Sequence, residues 1–234
     1  MSRNHRSLIY ARLVTFQRAR SEAQREIRRR TILDTAAAML REMPVADLSL
    51  NELSRRAGLA KSNVLRYFES REAVLLELLD AFLGSWLAEL TVELESGIDV
   101  RAAPEERARQ LAELLSQSLA SRTILCDLFG AQGGVLEHNV SLDVVKQHKR
   151  SSIARLRAMA ELIQRHVPEL GENAQMFCLM SLVSAGAISS YVPPPPSLAA
   201  AYAEEPALAI LDFDLRTALR ATFTSALLGA LPRT

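Results

Sequence analysis

The chain has 234 residues, 49% of them hydrophobic and 5% aromatic, and its formal net charge is +1. A chain of this length and apolar content can bury a substantial core, which excludes a disordered or fibrous protein. Abundant Ala and Leu, only nine glycines and little alternation of β-branched or aromatic residues predict an all-α fold without a parallel sheet.

The small net charge conceals two ends of opposite sign. Residues 1–71 contain 15 Lys and Arg against 7 Asp and Glu, a net of +8, whereas residues 72–234 contain 13 against 20, a net of −7. Because neutralising phosphates supplies affinity for any nucleic acid, a basic end on an acidic body is typical of a DNA-binding module joined to a regulatory domain. A chance imbalance of a few charges is the alternative.

The first 20 residues contain arginines and no acidic residue. We predict a basic arm here, which either follows the minor groove or phosphates of DNA or is a solvated tail. Ser21 and Gln24 then form a predicted capping box for a first helix. That helix should end at about Met43, because Pro44 disfavours further helix.

Residues 48–71 carry the most informative pattern of the chain. Ser49 is a good N-cap residue with Glu52 three places on, which predicts a capping box and a helix from Leu50. Gly58 should end this helix in the left-handed conformation. A second helix, Lys61 to about Phe68, should bury three apolar side chains, Val64, Leu65 and Phe68. Its outward side chains would be Lys61, Ser62, Asn63, Arg66 and Tyr67.

Two short helices joined by a tight turn with glycine are typical of a helix-turn-helix, whose second helix enters the major groove of DNA. The outward side chains suit that use, since Lys and Arg bind phosphate or guanine, Asn pairs with adenine, and Ser and Tyr donate to phosphate. An ordinary helical hairpin with a solvated face is the alternative.

The stretches Ala57-Gly58-Leu59-Ala60-Lys61 and Tyr67-Phe68-Glu69-Ser70-Arg71-Glu72-Ala73 resemble the DNA-binding segment of TetR-type (tetracycline-repressor-like) transcriptional regulators. The resemblance covers about Thr31 to Leu79. It implies a homodimer that binds a palindromic double-stranded DNA operator, most often as a repressor. When the DNA contacts of the resembled family are transferred to the matching positions of this sequence, they fall on Ser49, Lys61, Ser62, Asn63, Arg66, Tyr67 and Arg71. The chain departs from the family pattern at three places: at Ala60, where a capping Ser or Thr is common; at Leu65-Arg66, which replaces a frequent aromatic pair; and at Met43-Pro44, which replaces the usual glycine-aromatic link between the first two helices.

Apolar periodicity predicts six further helices, about nine in all. They span about 71–95, 105–120, 122–129, 136–166, 172–191 and 212–231. Pro104 suits the first position of the helix at 105–120. Gly130 and the Gly133-Gly134 pair should break the chain, and Pro193 to Pro196 should end the helix at 172–191.

The last two predicted helices are rich in small residues and apolar on more than one face. The resemblance implies that they pack against their twins in a second subunit, and an intrachain core is the alternative. We therefore divide the chain into a basic arm (1–20), a helix-turn-helix DNA-binding domain (21–70) and a ligand-binding and dimerisation domain (71–234).

In the resembled family a small molecule binds inside the helical body and shifts the spacing of the two DNA-binding heads. Inward position and side-chain chemistry nominate nine lining residues, each of which is alternatively plain core. They are Phe82, Trp86, Leu90, Leu115, Cys126, Phe129, His138, Met159 and Phe177. The apolar bias of this set favours a hydrophobic or aromatic effector.

No catalytic motif of the metalloprotease, serine hydrolase, phosphate-loop or zinc type occurs in the chain. We therefore expect no enzyme activity, no cofactor and no metal. His138 and His148, on either side of Asp143, are either metal ligands or simply solvated histidines. The second hypothesis is a helical sensor or enzyme whose N-terminal hairpin docks another protein.

Two further observations concern the compartment. Cys126 and Cys178 lie far apart within apolar runs, which favours buried free thiols in a reducing environment. No run reaches the roughly 18 apolar residues of a membrane-spanning helix, and the segment Leu8 to Phe16 is interrupted by Arg12 and lacks a signal-peptide cleavage site. We expect a cytoplasmic protein without a membrane partner.

Overall fold

The computed structural model describes residues 22–232, and within them the secondary structure is α-helical, with ten α-helices and no strand. The first helix, α1, spans residues 22–39. The others are α2 (Leu50–Arg56), α3 (Lys61–Val64), α4 (Arg71–Gly97), α5 (Pro104–Ala120), α6 (Thr123–Ala131), α7 (Leu142–His166), α8 (Asn173–Ser189), α9 (Pro196–Glu204) and α10 (Leu215–Ala230). The prediction of an all-α fold is confirmed.

Helices α1 to α3 form a small head around a core of fully buried apolar side chains, among them Ile32, Met39, Leu53 and Val64. Arg29 of α1 fastens this head to α4. Its guanidinium lies 4.4 Å from the centre of the Phe68 ring, donates to the Tyr67 carbonyl at 3.1 Å and pairs with the Glu77 carboxylate.

Helices α4 to α10 form the larger body. The Trp86 indole of α4 is buried and donates to Ser118 Oγ of α5 at 3.0 Å, which satisfies its only polar atom. Helices α8 and α10 meet through the Phe177 and Phe223 rings, whose centroids are 6.2 Å apart in an edge-to-face arrangement. Both Cys126 and Cys178 are buried free thiols, as predicted, and burial raises the pKa of each to about 12.

The structure corrects several predicted bounds. Helix α1 ends at residue 39, not at Met43, because residues 40–42 already turn the chain toward the buried Val45. The Ser21 capping box and the basic arm 1–20 lie outside the described residues. Gly130 does not break the chain, since α6 runs through it into a π-helical turn, Gln132–Leu136, and α7 starts only at Leu142.

One helix was missed entirely. Helix α9 (Pro196–Glu204) begins at the last residue of the proline run, which was expected only to end α8. Proline is well suited to that position, because the first helical amide has no partner to lose. Among the described residues, no helix combines the length and the apolar content needed to cross a membrane.

Candidate nucleic-acid interface and ligand cavity

Local interactions fix the geometry of the α2–α3 pair. Ser49 caps α2, since its hydroxyl accepts a hydrogen bond from the Glu52 amide at 3.2 Å, and Gly58 has φ +65°, as predicted. The return bond of the predicted capping box is not formed, because the Glu52 carboxylate accepts from Arg55 and Arg56 instead. The Gly58 amide donates to the Arg55 carbonyl and the Leu59 amide to the Ser54 carbonyl, the paired bonds of a Schellman motif. This motif sets the angle at which the chain enters α3.

Helix α3 presents a polar row to solvent. The four side chains of this row, Lys61, Ser62, Asn63 and Arg66, are all exposed, whereas Tyr67 is half-buried against the core. Helical hydrogen bonds continue past Val64 as far as the Phe68 amide. The prediction that Leu65 points inward is wrong, since its side chain is exposed.

The other two predicted DNA contacts, Ser49 and Arg71, lie at the N-termini of α2 and α4. Ser49 is exposed at the start of α2, with its hydroxyl engaged in the cap. Arg71 Nη1 donates to the carbonyls of Ala46 at 3.3 Å and Leu48 at 3.0 Å, and its Nε pairs with Glu72. Arg71 therefore holds the loop before α2 against the start of α4.

Besides the contacts with α4, two hydrogen bonds of long sequence separation join the head to α6 and α7 of the body. The Val45 amide, in the turn between α1 and α2, donates to Asp127 Oδ2 of α6 at 2.7 Å. The Ser141 amide, at the N-cap of α7, donates to the carboxylate of Glu69, directly after α3. The segment between Asp127 and Ser141 is thus fixed to the head at both of its ends.

A cavity of about 640 Å³ lies among α4, α6, the π-helical turn, α7 and α8. Its walls are largely apolar, and their members include Leu83, Phe129, Leu156 and Leu182. Polar side chains gather at the π-helical turn, where the Gln132 amide nitrogen donates to Glu137 Oε1 at 2.8 Å and lies 3.1 Å from His148 Nε2. The cavity therefore suits a ligand with an apolar body and one polar end.

The protonation states at the polar end follow from burial and pairing. Burial holds the pKa of His148 below its usual value despite the nearby Glu137 carboxylate, so the imidazole is neutral at pH 7. Burial also raises the pKa of Glu137, but hydrogen bonds from Lys149 and Gln132 outweigh this and bring its pKa below the usual value. A ligand would meet a neutral imidazole beside an ion pair.

The structure places the nine nominated lining residues in different surroundings. Phe129 lines the 640 Å³ cavity, whereas Phe82 and Trp86 line a smaller one of about 250 Å³. Leu90, Leu115, Cys126, Met159 and Phe177 are buried in the core, and His138 is exposed with Nε2 3.1 Å from the Gly133 carbonyl. Helical periodicity identifies an inward side chain, but it does not distinguish a packed interior from a cavity wall.

The polar residues of the cavity were not nominated from the sequence. Gln132 lies in the turn that was expected to be a chain break, where the glycine pair was the available signal. His148 and Ser152 lie in α7, and the sequence singled out His148 only as part of a possible metal site. Within the described part of the chain, no group of three or more His, Cys, Asp or Glu residues could hold a metal ion.

An unpartnered apolar face runs along α8. Met176, Met180 and Val183 are 60%, 45% and 54% exposed, and the adjacent face of α10 offers small exposed residues, among them Ala226 and Gly229. Large side chains beside a strip of small ones can interdigitate with a copy of the same surface.

Comparison with known proteins assigns both parts of the chain. The family model for bacterial regulatory proteins of the tetR family matches residues 32–78, and the model for the C-terminal domain of tetracyclin repressor-like proteins matches residues 80–234. The HTH-type transcriptional regulators EthR of Mycobacterium tuberculosis and Mycobacterium bovis are 47% identical over 49 residues. That match spans 21% of this chain and only 23% of the relatives' own length.

Solved structures share the fold over most of the chain. FadR of Thermus thermophilus, a TetR family transcriptional repressor in complex with lauroyl-CoA, has a TM-score of 0.53 at 18% identity, over 88% of this chain and 96% of that one. The fatty acid degradation regulator FadR of Bacillus halodurans has a TM-score of 0.51 at 16% identity, over 88% and 97%. The C-terminal model alone matches well over half of the chain, and this protein therefore belongs to the TetR family of DNA-binding transcriptional regulators.

Proposed function

We propose that this protein is a homodimeric repressor, which binds a palindromic operator and is released by a small, largely apolar effector. Residues 21–70 would form the DNA-binding domain and residues 71–234 the effector-binding and dimerisation domain. The observation that carries the proposal is the polar row, in which Lys61, Ser62 and Asn63 of α3 and Arg66 of the turn that continues it are all exposed.

Each side chain of this interface has a chemical role in the proposal. Arg66 would pair with guanine and Asn63 with adenine on the major-groove edge, because both can form two hydrogen bonds there. The contacts to phosphate would come from Ser49, Lys61, Ser62, Tyr67 and Arg71. Since Arg71 already donates to two carbonyls, its contribution would be to hold the loop before α2 as well as to attract phosphate.

Selecting bound duplexes from random DNA tests this function. We expect wild-type protein to enrich a palindrome with half-sites about 34 Å apart, one helical turn, or a multiple of that. Arg66→Ala and Asn63→Ala should each lose about 1–3 kcal/mol of discrimination at one base pair per half-site. Lys61→Ala should weaken binding to all duplexes alike and reduce the slope of log affinity against log salt by about one per contact.

The matched control is Arg165→Ala, which removes one exposed positive charge near the end of α7 in the body. It should leave operator affinity and the salt slope unchanged. If wild-type protein enriched no sequence at moderate salt, the DNA-binding role of this surface would be wrong, and the hairpin would instead suit the docking of a protein partner.

The dimer would form through the apolar face of α8 and the small residues of α10. In isolation this face leaves Met176, Met180 and Val183 in water, and pairing with a copy of itself would bury them. A twofold pair of heads then matches the twofold symmetry of a palindrome. The dimer is therefore needed for operator affinity, not only for stability.

The effector would occupy the 640 Å³ cavity, with its apolar part against Leu83, Leu156 and Leu182 and its polar end at Gln132 and His148. A protein of the same fold, Thermus thermophilus FadR, has been solved with lauroyl-CoA, which supports an effector with a long apolar part. At 18% identity the ligand itself does not transfer.

The structural change caused by effector binding would be transmitted to the head through the segment from Asp127 to Ser141. This segment carries the π-helical turn that lines the cavity, and its ends bond to Val45 and to Glu69 of the head. His148 borders both this cavity and a second one of about 540 Å³ between head and body. A ligand that displaced the turn would therefore pull on both attachments at once.

Asp127→Ala should weaken operator binding by roughly ten-fold or more, because a hydrogen bond to a carboxylate contributes about 1.5–3 kcal/mol and this one positions the head. Hydrogen exchange should show faster exchange of the Val45 amide. Glu161→Ala, which removes one exposed negative charge from α7 instead of α6, is the charge-matched control. Equal operator affinity in both variants would show that this attachment does not position the head.

A further inference from the structure

Leu65 occupies an unusual position on the DNA-facing helix. Its side chain is 43% exposed, whereas Val64 and Phe68, on the inner side of the same turn, are buried. Leu65 has helical backbone angles, and its amide donates to the Lys61 carbonyl at 3.0 Å. In a helix, side chains three and four residues apart are neighbours, so Leu65 adjoins Ser62 and Lys61 at the edge of the polar row.

The chemistry of Leu65 limits what it can contact on DNA. It has no hydrogen-bonding group, so it cannot bind phosphate oxygens or the donor and acceptor edges of the bases. On the major-groove edge of the four bases, the distinctive apolar group is the C5-methyl of thymine, and apolar side chains contact it. Burying both groups against each other removes apolar surface from water on each side.

We propose that Leu65 reads the C5-methyl group of a thymine in each operator half-site, next to the bases read by the polar row. This inference rests on the proposed entry of α3 into the major groove. It makes Leu65 a specificity-determining residue that acts by shape and apolar contact, beside Arg66 and Asn63, which act by hydrogen bonding. The operator should therefore contain a thymine whose methyl group contributes to affinity.

Replacing thymine by deoxyuridine, which removes only the methyl group, gives a direct test. The probe is the duplex that wild-type protein enriches from random DNA, with each thymine pair of the two half-sites replaced in turn. At one position, deoxyuridine should lower wild-type affinity about three- to ten-fold, in line with the loss of one buried methyl contact. Leu65→Ala should bind the thymine and deoxyuridine duplexes with equal affinity at that position.

Two control variants separate this reading from a general loss of binding. Leu65→Met keeps an apolar side chain and should retain most of the preference for thymine. Ser62→Ala changes a neighbouring residue of the row and should keep the wild-type ratio of the two affinities at that position. Because Leu65 is exposed, the alanine variant should unfold at the wild-type temperature.

The outcomes are distinguishable. If no deoxyuridine replacement weakens wild-type binding, or if Leu65→Ala keeps the wild-type thymine-to-deoxyuridine ratio, the assignment to Leu65 is overturned while the DNA-binding function stands. If the wild-type protein enriches no duplex at all, the proposed function fails and this inference fails with it.

Discussion

Met180→Arg should yield a monomer that binds the operator at least about 100-fold more weakly than the wild-type protein, which we propose to be a dimer. Met180 lies near the middle of α8, on the face that we assign to the twofold interface, and its side chain is 45% exposed in the single subunit. A twofold contact would bring two arginines together in an apolar setting, and a buried unpaired charge costs several kcal/mol. Sedimentation gives the mass, and gel shift with the enriched duplex gives the affinity.

The matched control is Val92→Arg, which places the same charge on an exposed apolar residue of α4, a helix outside the proposed α8 and α10 interface. This variant should remain dimeric and keep its operator affinity. Because both positions are exposed in the subunit, neither variant should be unfolded by the change, which circular dichroism can verify. A Met180→Arg protein that sediments as a dimer would place the interface on another surface.

The elements predicted best are those fixed by neighbours in sequence. The start of α2 at Ser49, the left-handed Gly58 and the first position of α5 at Pro104 were all predicted and are confirmed. Each depends on one backbone conformation or one capping bond within a few residues, which residue type alone selects. The α4 bounds were close to the predicted ones for the same reason, since Ser70 caps that helix.

The features predicted least well depend on distant contacts. Asp127 bonds to an amide 82 residues away, and no periodicity in α6 indicates that partner. Leu65 appeared to continue the apolar stripe of α3, but the tightened turn after Val64 leaves it outside. The cavity depends on how α4, α6, α7 and α8 are spaced, and a helical pattern specifies only which side of each helix faces inward.

The close approach of α6 and α8 was also beyond sequence reasoning. Gly130 was predicted to break the chain, and Gly186 lies in a predicted helix that was described only as rich in small residues. In the structure, a Cβ atom added at Gly186 would lie 2.5 Å from the Gly130 nitrogen and 2.7 Å from the Phe129 carbonyl carbon. The two helices therefore touch backbone to backbone beside the cavity, which only glycine allows.

Gly186→Ala should consequently lower the thermal midpoint of unfolding by about 4–10 °C. Overpacking typically costs about 1–3 kcal/mol, and the cost here lies at the upper end because the obstructing atoms are backbone, which cannot rotate away. For a chain of this size, a loss of about 1 kcal/mol lowers the midpoint by roughly 2–4 °C. Calorimetry or circular dichroism of the purified protein measures the shift.

The control for this substitution is Gly134→Ala, in the π-helical turn, where an added Cβ atom meets nothing within 4 Å. Alanine is favoured over glycine in helices by about 1 kcal/mol, so without a steric conflict both variants would be neutral or slightly more stable than wild type. The two substitutions should therefore differ in sign. A Gly186→Ala variant as stable as Gly134→Ala would mean that α6 and α8 can separate at little cost, and the cavity between them would then be adjustable in width.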